Sequence, residues 1–180
     1  MRHSVISLFI ALIASSIFSY SQVQAFDVPV NTTAHIYFSP DGGGTDAIVS
    51  ELRKAKSEIL VQAYSFTSKE IAKALVEAHK RGIKIKIILD KSNRSGKYSA
   101  ADFTAHTGIP TFIDAAHAIA HNKIMVIDNE TVITGSFNFT KAAEDKNAEN
   151  LLIIKSKELA RIYTDNWNKH KAHSEIYKGR

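Results

Sequence analysis

Residues 58–90 read EILVQAYSFTSKEIAKALVEAHKRGIKIKIILD, and this stretch decides the fold class. Glu58 to Phe66 carries Ile59, Leu60, Val61 and Tyr64, a run with the composition of a buried strand. Ser68 then opens a helix whose apolar positions Ile71, Leu75 and Ala78 fall on one stripe, and Gly82 stops it. Ile83 to Leu89 begins in strict alternation with Lys84 and Lys86, the pattern of a second strand. Upstream, Ala34 to Phe38 is a short strand closed by Ser39-Pro40-Asp41 and three glycines. A helix follows with Ile48, Leu52 and Ala55 inward, and Thr45 or Asp46 is its expected cap. The order β-α-β-α-β points to an α/β sheet covered by helices.

Working outward, Thr111 to Ile113, Lys123 to Ile127, Thr131 to Gly135 and Asn150 to Ile154 are further strand candidates. The tail from Ser156 to about His173 is helical in pattern, with Leu159, Ile162, Tyr163, Trp167 and His170 on one side, and that stripe reads as core. No Pro/Gly/Ser-rich linker or internal repeat divides the chain. The expected fold is a single-domain mixed β-sheet flanked by helices.

Composition excludes several function classes. The chain has 180 residues, 44% hydrophobic and 23% charged, with a formal net charge of +5 and no cysteine. It is therefore neither a disulfide-stapled scaffold nor a thiolate zinc protein. Residues 1–25 have the form of a secretory signal peptide: a basic start at Arg2, an uncharged and mostly apolar run from Val5 to Phe18, and Val23-Gln24-Ala25 before the cut. The apolar run is short against the ~20 residues of a membrane span. Cleavage after Ala25 would leave residues 26–180 as one domain of net charge +4, exported to the periplasm or secreted, with no stable membrane anchor.

Three possible sites are weak. Asp41-Gly42-Gly43-Gly44 lacks the lysine of a phosphate loop and reads as a plain turn. His117 and His121 stand four apart, but no HExxH, cysteine pair or carboxylate cluster accompanies them, so no metal site is expected there. No GxSxG elbow is present.

The fourth is specific. His121-Asn122-Lys123-Ile124-Met125-Val126-Ile127-Asp128 has the form HxKxxxxD, followed by Gly135-Ser136-Phe137-Asn138 and then Asn147-Ala148-Glu149-Asn150. In a strand, His121 and Lys123 share a face, as do Ser136 and Asn138. A hairpin turning through Asp128 to Glu130 would bring both pairs to one end. An imidazole, an ammonium, an amide and a hydroxyl would converge there, a set suited to a phosphoryl group. Asp128, seven residues from His121, faces the other way and is expected to hold the turn or a neighbouring group. Glu149 is the better partner for the imidazole, fixing its tautomer.

At these residues the sequence resembles the phospholipase D superfamily, whose signature is HxKxxxxD followed by GSxN. The resemblance runs from about Ala34 to Ile154, through Ala63-Tyr64-Ser65-Phe66 and Arg81-Gly82-Ile83, and is strongest to the small secreted bacterial endonucleases with one signature per chain. It implies that His121 attacks phosphorus to form a phosphohistidine. It implies that Lys123 and Asn138 bind the non-bridging oxygens with help from Ser136, and that Glu149 orients His121. It also implies a two-fold homodimer, in which a second His121 protonates the leaving oxygen, and a reaction needing neither divalent metal nor cofactor.

Substrate remains open at this level. Positive charge, including Lys91, Arg94 and Lys97 as a phosphate-steering edge, favours nucleic acid: DNA, with RNA as a second polymer. A phospholipid such as cardiolipin is the alternative, and a non-catalytic basic nucleic-acid-binding module is a third reading. Nothing suggests base recognition, since phosphate contacts carry no sequence information.

Overall fold

The computed structural model describes residues 32–95 and 99–180. The signal-peptide reading of residues 1–25 and the basic residue Lys97 lie outside them. In chain order the elements are β1 (Thr33–Ser39), α1 (Gly44–Lys54), β2 (Glu58–Ala63), α2 (Lys69–Lys80), β3 (Lys84–Asp90), a 3₁₀ turn (Lys91–Arg94), α3 (Ala101–His106), β4 (Thr111–Asp114), β5 (Lys123–Ile127), β6 (Thr131–Gly135), α4 (Lys141–Asp145), β7 (Glu149–Lys155), α5 (Lys157–His173) and β8 (Glu175–Tyr177). All eight strands form one sheet in the order β1-β7-β6-β5-β2-β3-β4-β8. The β2–β3 and β3–β4 pairs are parallel and the others antiparallel, so the sheet is mixed.

Alternation along the strands explains why both faces are covered. Ile59, Val61, Ile85, Ile87, Met125 and Ile133 point into a large core with Ile48 and Leu52 of α1 and Ile71 and Leu75 of α2. Leu60, Ile88, Ile124, Val126 and Val132 point the other way, onto Ala160 and Trp167 of α5. Trp167 is buried, and its indole nitrogen donates to the Val61 carbonyl at 2.9 Å. The long C-terminal helix thus shields the central strands on the face that α1 and α2 leave open.

Two local details differ from expectation. Neither Thr45 nor Asp46 caps α1, because its N-cap is Gly43 in the left-handed conformation (φ 76°) with no side-chain cap. The Glu144 carboxylate of α4 does this instead, accepting the Gly43 and Thr45 amides at 2.8 and 2.6 Å. A carboxylate therefore occupies the amides that a phosphate loop would offer, and the glycine run is a turn clamped from another element. Ser68, by contrast, caps α2 by accepting the Ile71 amide at 3.3 Å. The elements not anticipated are short or local: α3, α4, β8 and the 3₁₀ turn.

Candidate active site

One edge of the sheet gathers the chemistry. The parallel strands β2, β3 and β4 end there, β5 and β7 begin there, and β1 and β6 end there. The register pairs Ala63 with Lys123, Ile124 with Thr134, and Gly135 with Leu151. His121, Lys123, Ser136 and Glu149 are consequently delivered to the same edge by three different strands. The carboxyl ends of parallel strands are the usual place for ligands in α/β sheets, because helices cover the faces and leave this edge open.

The β5–β6 hairpin turns through Asp128 (φ 55°) and Asn129 (φ 52°), with the Glu130 amide donating to the Ile127 carbonyl at 3.0 Å. Two consecutive positive φ angles match the right-handed twist of the strands, and Asp and Asn tolerate them better than most residues. The Asp128 carboxylate accepts the amides of Lys56 at 2.9 Å, Ser57 at 2.7 Å and Glu58 at 3.1 Å, and the Ser57 hydroxyl at 2.8 Å. Burial raises its proton affinity, but these donors outweigh that and leave it below the ordinary range. Asp128 therefore sits at the opposite end of β5 from His121, tying the turn to the start of β2.

Gly135 explains the glycine of the second motif. Its φ is 151°, and a Cβ there would lie 2.2 Å from the Asn150 carbonyl oxygen. After it, Phe137 and Phe139 enter the core, and Phe139 meets Phe66 edge-on with ring centroids 6.3 Å apart. Alternation with those two anchors turns Ser136 and Asn138 outward. The Ser136 hydroxyl donates to Glu149 Oε2 at 2.6 Å and accepts the Asn150 amide at 3.0 Å. Among the described residues, the buried Asn138 Oδ1 has no hydrogen-bond partner. A buried carbonyl oxygen in that state is an acceptor that a donor such as water would satisfy.

Lys123 is almost wholly buried, and its ammonium donates to the His121 carbonyl at 2.7 Å and lies 5.0 Å from the centre of the Tyr64 ring. Burial pushes its pKa down, and the Glu149 carboxylate opposes this. His121 is exposed, with its ring against Tyr64 at 4.6 Å between centroids. Among the described residues no hydrogen bond joins Glu149 to His121. The two Glu149 oxygens are taken by Ser136 and, at 3.1 Å, by Asn147.

The segment before His121 is held from β3. Asp90 is buried, and its Oδ2 accepts the Ala120 amide at 2.8 Å while Oδ1 accepts the Ser92 amide at 2.9 Å. Burial raises the Asp90 pKa, but its hydrogen bonds with Ser92 and Ala120 and the Lys91 charge bring it below normal. Sequence reasoning missed this residue because a single Asp ending a strand is indistinguishable from a turn signal.

An open cavity of about 700 Å³ lies over this edge, lined by His121, Lys123, Gly135 and, from α5, Arg161, Tyr163 and Lys169. The tail helix is thus more than core. Trp167 is buried as expected, whereas Tyr163 is half-buried and faces the cavity. Arg161, Asp165 and Lys169 are spaced by four, a helical face that was legible but unassigned. The expected steering edge is partly engaged elsewhere: Arg94 pairs with Glu175 at 2.6 Å, and the Lys91 ammonium donates to the His117 carbonyl at 3.0 Å.

An exposed imidazole, a buried ammonium and a side-chain amide at the open edge of a mixed α/β sheet form a site suited to a phosphodiester. Comparison with known proteins identifies the family. The model of the cardiolipin synthase, PLD-like domain matches residues 48–171. A phospholipase D of Rickettsia typhi is 40% identical over 159 residues, covering 87% of this chain and 78% of that protein. The crystal structure of Nuc, a phospholipase D family member from Salmonella typhimurium, superposes with a TM-score of 0.79 at 39% identity, covering 82% of this chain and 99% of that one. A mouse mitochondrial cardiolipin hydrolase is 26% identical over 122 residues, 68% of this chain and 55% of that protein. The chain belongs to the phospholipase D superfamily and is a phosphodiesterase of that family.

Proposed function

We propose that the protein is a non-specific endonuclease that cleaves DNA, and RNA by the same contacts, through a phosphohistidine on His121. The observation that carries the reading is the open groove, where Lys169 of α5 adds its charge to that of Lys123 and Arg161, paired with Asp165 at 3.3 Å, lies beside it. A groove of that kind follows a polyanionic backbone better than it encloses a lipid headgroup. The overall +5 charge and the 39% identity to Nuc along nearly the whole of that chain support the same choice.

The mechanism follows from the groups present. The ring of His121 attacks phosphorus, forming the N–P bond as the P–O bond to the leaving strand breaks, and water then hydrolyses the N–P bond. Lys123 and the Asn138 amide bind the non-bridging oxygens, with the Ser136 hydroxyl beside them. Glu149 favours the charged form of Lys123 and accepts from Ser136. The leaving oxygen needs a proton from a second imidazole, and among the described residues His121 is the only histidine lining the cavity. A two-fold homodimer that faces two His121 rings across a composite site supplies it, and Glu149 becomes an orienting partner for a ring in that assembly. The chemistry calls on no divalent metal or cofactor. The signal-like pattern of residues 1–25 supports a mature enzyme outside the cytoplasm, periplasmic or secreted.

The names of relatives favour a second reading, phospholipid phosphodiesterase, with the same residues acting on a lipid. The test is to incubate the protein with plasmid DNA and with labelled phospholipid vesicles in excess chelator, following its folded state by circular dichroism. Nicking of the plasmid is expected; cleavage of vesicles alone by folded protein overturns the nuclease. If folded protein cleaves neither and still binds DNA, the binding-module reading takes its place.

A further inference from the structure

A second cluster of chemistry-bearing side chains lies outside the described cavity. Asp114 ends β4, His117 follows in the irregular segment that leads to His121, and His170 and His173 stand one turn apart at the end of α5. The sequence set His117 beside His121, and no metal site was expected from that pair. The chain does not form a helix between those two, and His117 turns instead toward α5. Its ring lies 4.9 Å from that of His170 and 5.2 Å from that of His173, centre to centre.

Three imidazoles converge on one oxygen. Asp114 Oδ2 lies 2.8 Å from His170 Nδ1, 3.1 Å from His117 Nδ1 and 3.3 Å from His173 Nε2. One ligand atom from each of the four residues falls within 4.8 Å of all the others. From these residues we infer a structural transition-metal site, filled by zinc, with Asp114, His117, His170 and His173 as its four ligands.

Ligand chemistry and geometry both support zinc. Zinc takes imidazole nitrogen at about 2.0–2.1 Å and carboxylate oxygen at about 2.0–2.2 Å in a tetrahedron, whose edges are then roughly 3.3–3.5 Å. The three contacts to Asp114 Oδ2, at 2.8, 3.1 and 3.3 Å, are at or below that edge, and all four ligand atoms lie within 4.8 Å of one another, so small movements of the rings admit an ion at the centre. Three nitrogens and one oxygen suit zinc and its neighbours in the first transition series, not magnesium or calcium. Four protein ligands close the coordination sphere, which marks a structural site and not one that holds a reacting water.

Outer contacts fix the ligands in place. Asp114 is fully buried, and its Oδ1 accepts the Ala116 amide at 3.1 Å. The His117 carbonyl accepts from Lys91 at 3.0 Å, and the His170 carbonyl accepts from Ser174 at 2.7 Å. The contact to Asp114 orients that ligand side chain, and the two carbonyl contacts hold the backbone that carries His117 and His170. An ion here would join the end of β4, the segment entering His121 and the end of α5, whose Lys169 lines the cavity. It would hold the groove's shape without touching the reacting phosphate. The inference does not rest on the nuclease reading.

The experiment uses the full chain without an affinity tag, stripped with chelator and then dialysed against buffered zinc at about 1 μM free ion, followed by elemental analysis. One zinc per chain is expected, with a higher thermal midpoint than the stripped protein. Cobalt in its place should give the intense visible bands of a tetrahedral site. His170→Ala should lower zinc affinity by at least about 100-fold, while the exposed β1 variant His35→Ala binds as the wild type does. His173→Gln, at a more exposed ligand, is the second variant should His170→Ala fail to fold, and the same loss is expected of it. Folded wild type that takes up no zinc overturns the site, as does unchanged uptake by a folded ligand variant. In the second case the histidines are only hydrogen-bonded partners of Asp114.

Discussion

The Ser136 hydroxyl donates to Glu149 Oε2 at 2.6 Å, linking the end of β6 to the start of β7 across the mouth of the site. Through this contact the second motif and the downstream glutamate act as one unit, and Glu149 also favours the charged form of Lys123.

Glu149→Gln removes the negative charge that opposes burial at Lys123. With burial unopposed, the ammonium loses its proton at lower pH. Because the charged form binds the phosphate oxygens, the alkaline limb of the pH–rate profile should move to lower pH, and activity should fall about 10–100-fold. A profile whose alkaline limb stays in place, measured by supercoiled-plasmid nicking from neutral to alkaline pH, would show that Glu149 does not act through Lys123.

His121→Ala should abolish cleavage, by at least about 10⁴-fold, while oligonucleotide affinity by fluorescence anisotropy stays within a few-fold of wild type. Retained cutting would place the nucleophile elsewhere.

A composite dimer site makes a quantitative demand on mixtures. If each site needs His121 from both subunits, equal amounts of wild type and His121→Ala, exchanged to equilibrium, should retain about a quarter of the activity and not half. Light scattering should find dimers under assay conditions, and fully active monomers would defeat the shared site.

Gly135→Ala should be destabilising by at least about 2 kcal/mol in urea unfolding, since the added Cβ would lie 2.2 Å from a backbone oxygen. Ser136→Ala leaves that backbone alone and should unfold within about 1.5 kcal/mol of wild type.

The terminal strand gives an acid-stability signature. Hydrogen bonds from Arg180 and then Tyr177 draw the Asp102 carboxyl down from its ordinary 3.8 to about 2. A carboxyl depressed in the folded state stabilises above its unfolded pKa, and that contribution fades as pH falls through the folded value. Asp102→Asn should therefore be less stable than wild type at neutral pH, and the difference should shrink between about pH 4 and pH 2. A constant difference across that window would show that the pairing is not carried by the charge.

Local pattern carried much of this molecule. Alternation in residues 83–89, the apolar spacing of Ile71, Leu75 and Ala78, and the Ser68 cap are properties of neighbouring residues, so the β-α-β-α-β order needed no tertiary information. The motif residues were equally legible from their spacing, although β5 begins at Lys123 and β6 ends at Gly135, so that His121, Ser136 and Asn138 lie just outside the strands. The short elements α3, α4 and β8 were not, since a few residues carry too little periodicity to register.

What only the tertiary structure decided are the relationships between distant segments. The Glu144 carboxylate at the Gly43 and Thr45 amides, the Asp90 carboxylate at Ala120, and Glu149 at Ser136 join residues 13 to 101 positions apart. No local propensity encodes such pairs, because each is a product of strand order. The same holds for His117, which the sequence sets near His121 and the fold places against His170 and His173. Sequence by itself determined the list of chemical groups and the elements that bear them. The mixed sheet, by bringing strand ends to one edge and laying α5 across it, decided which of those groups face one another.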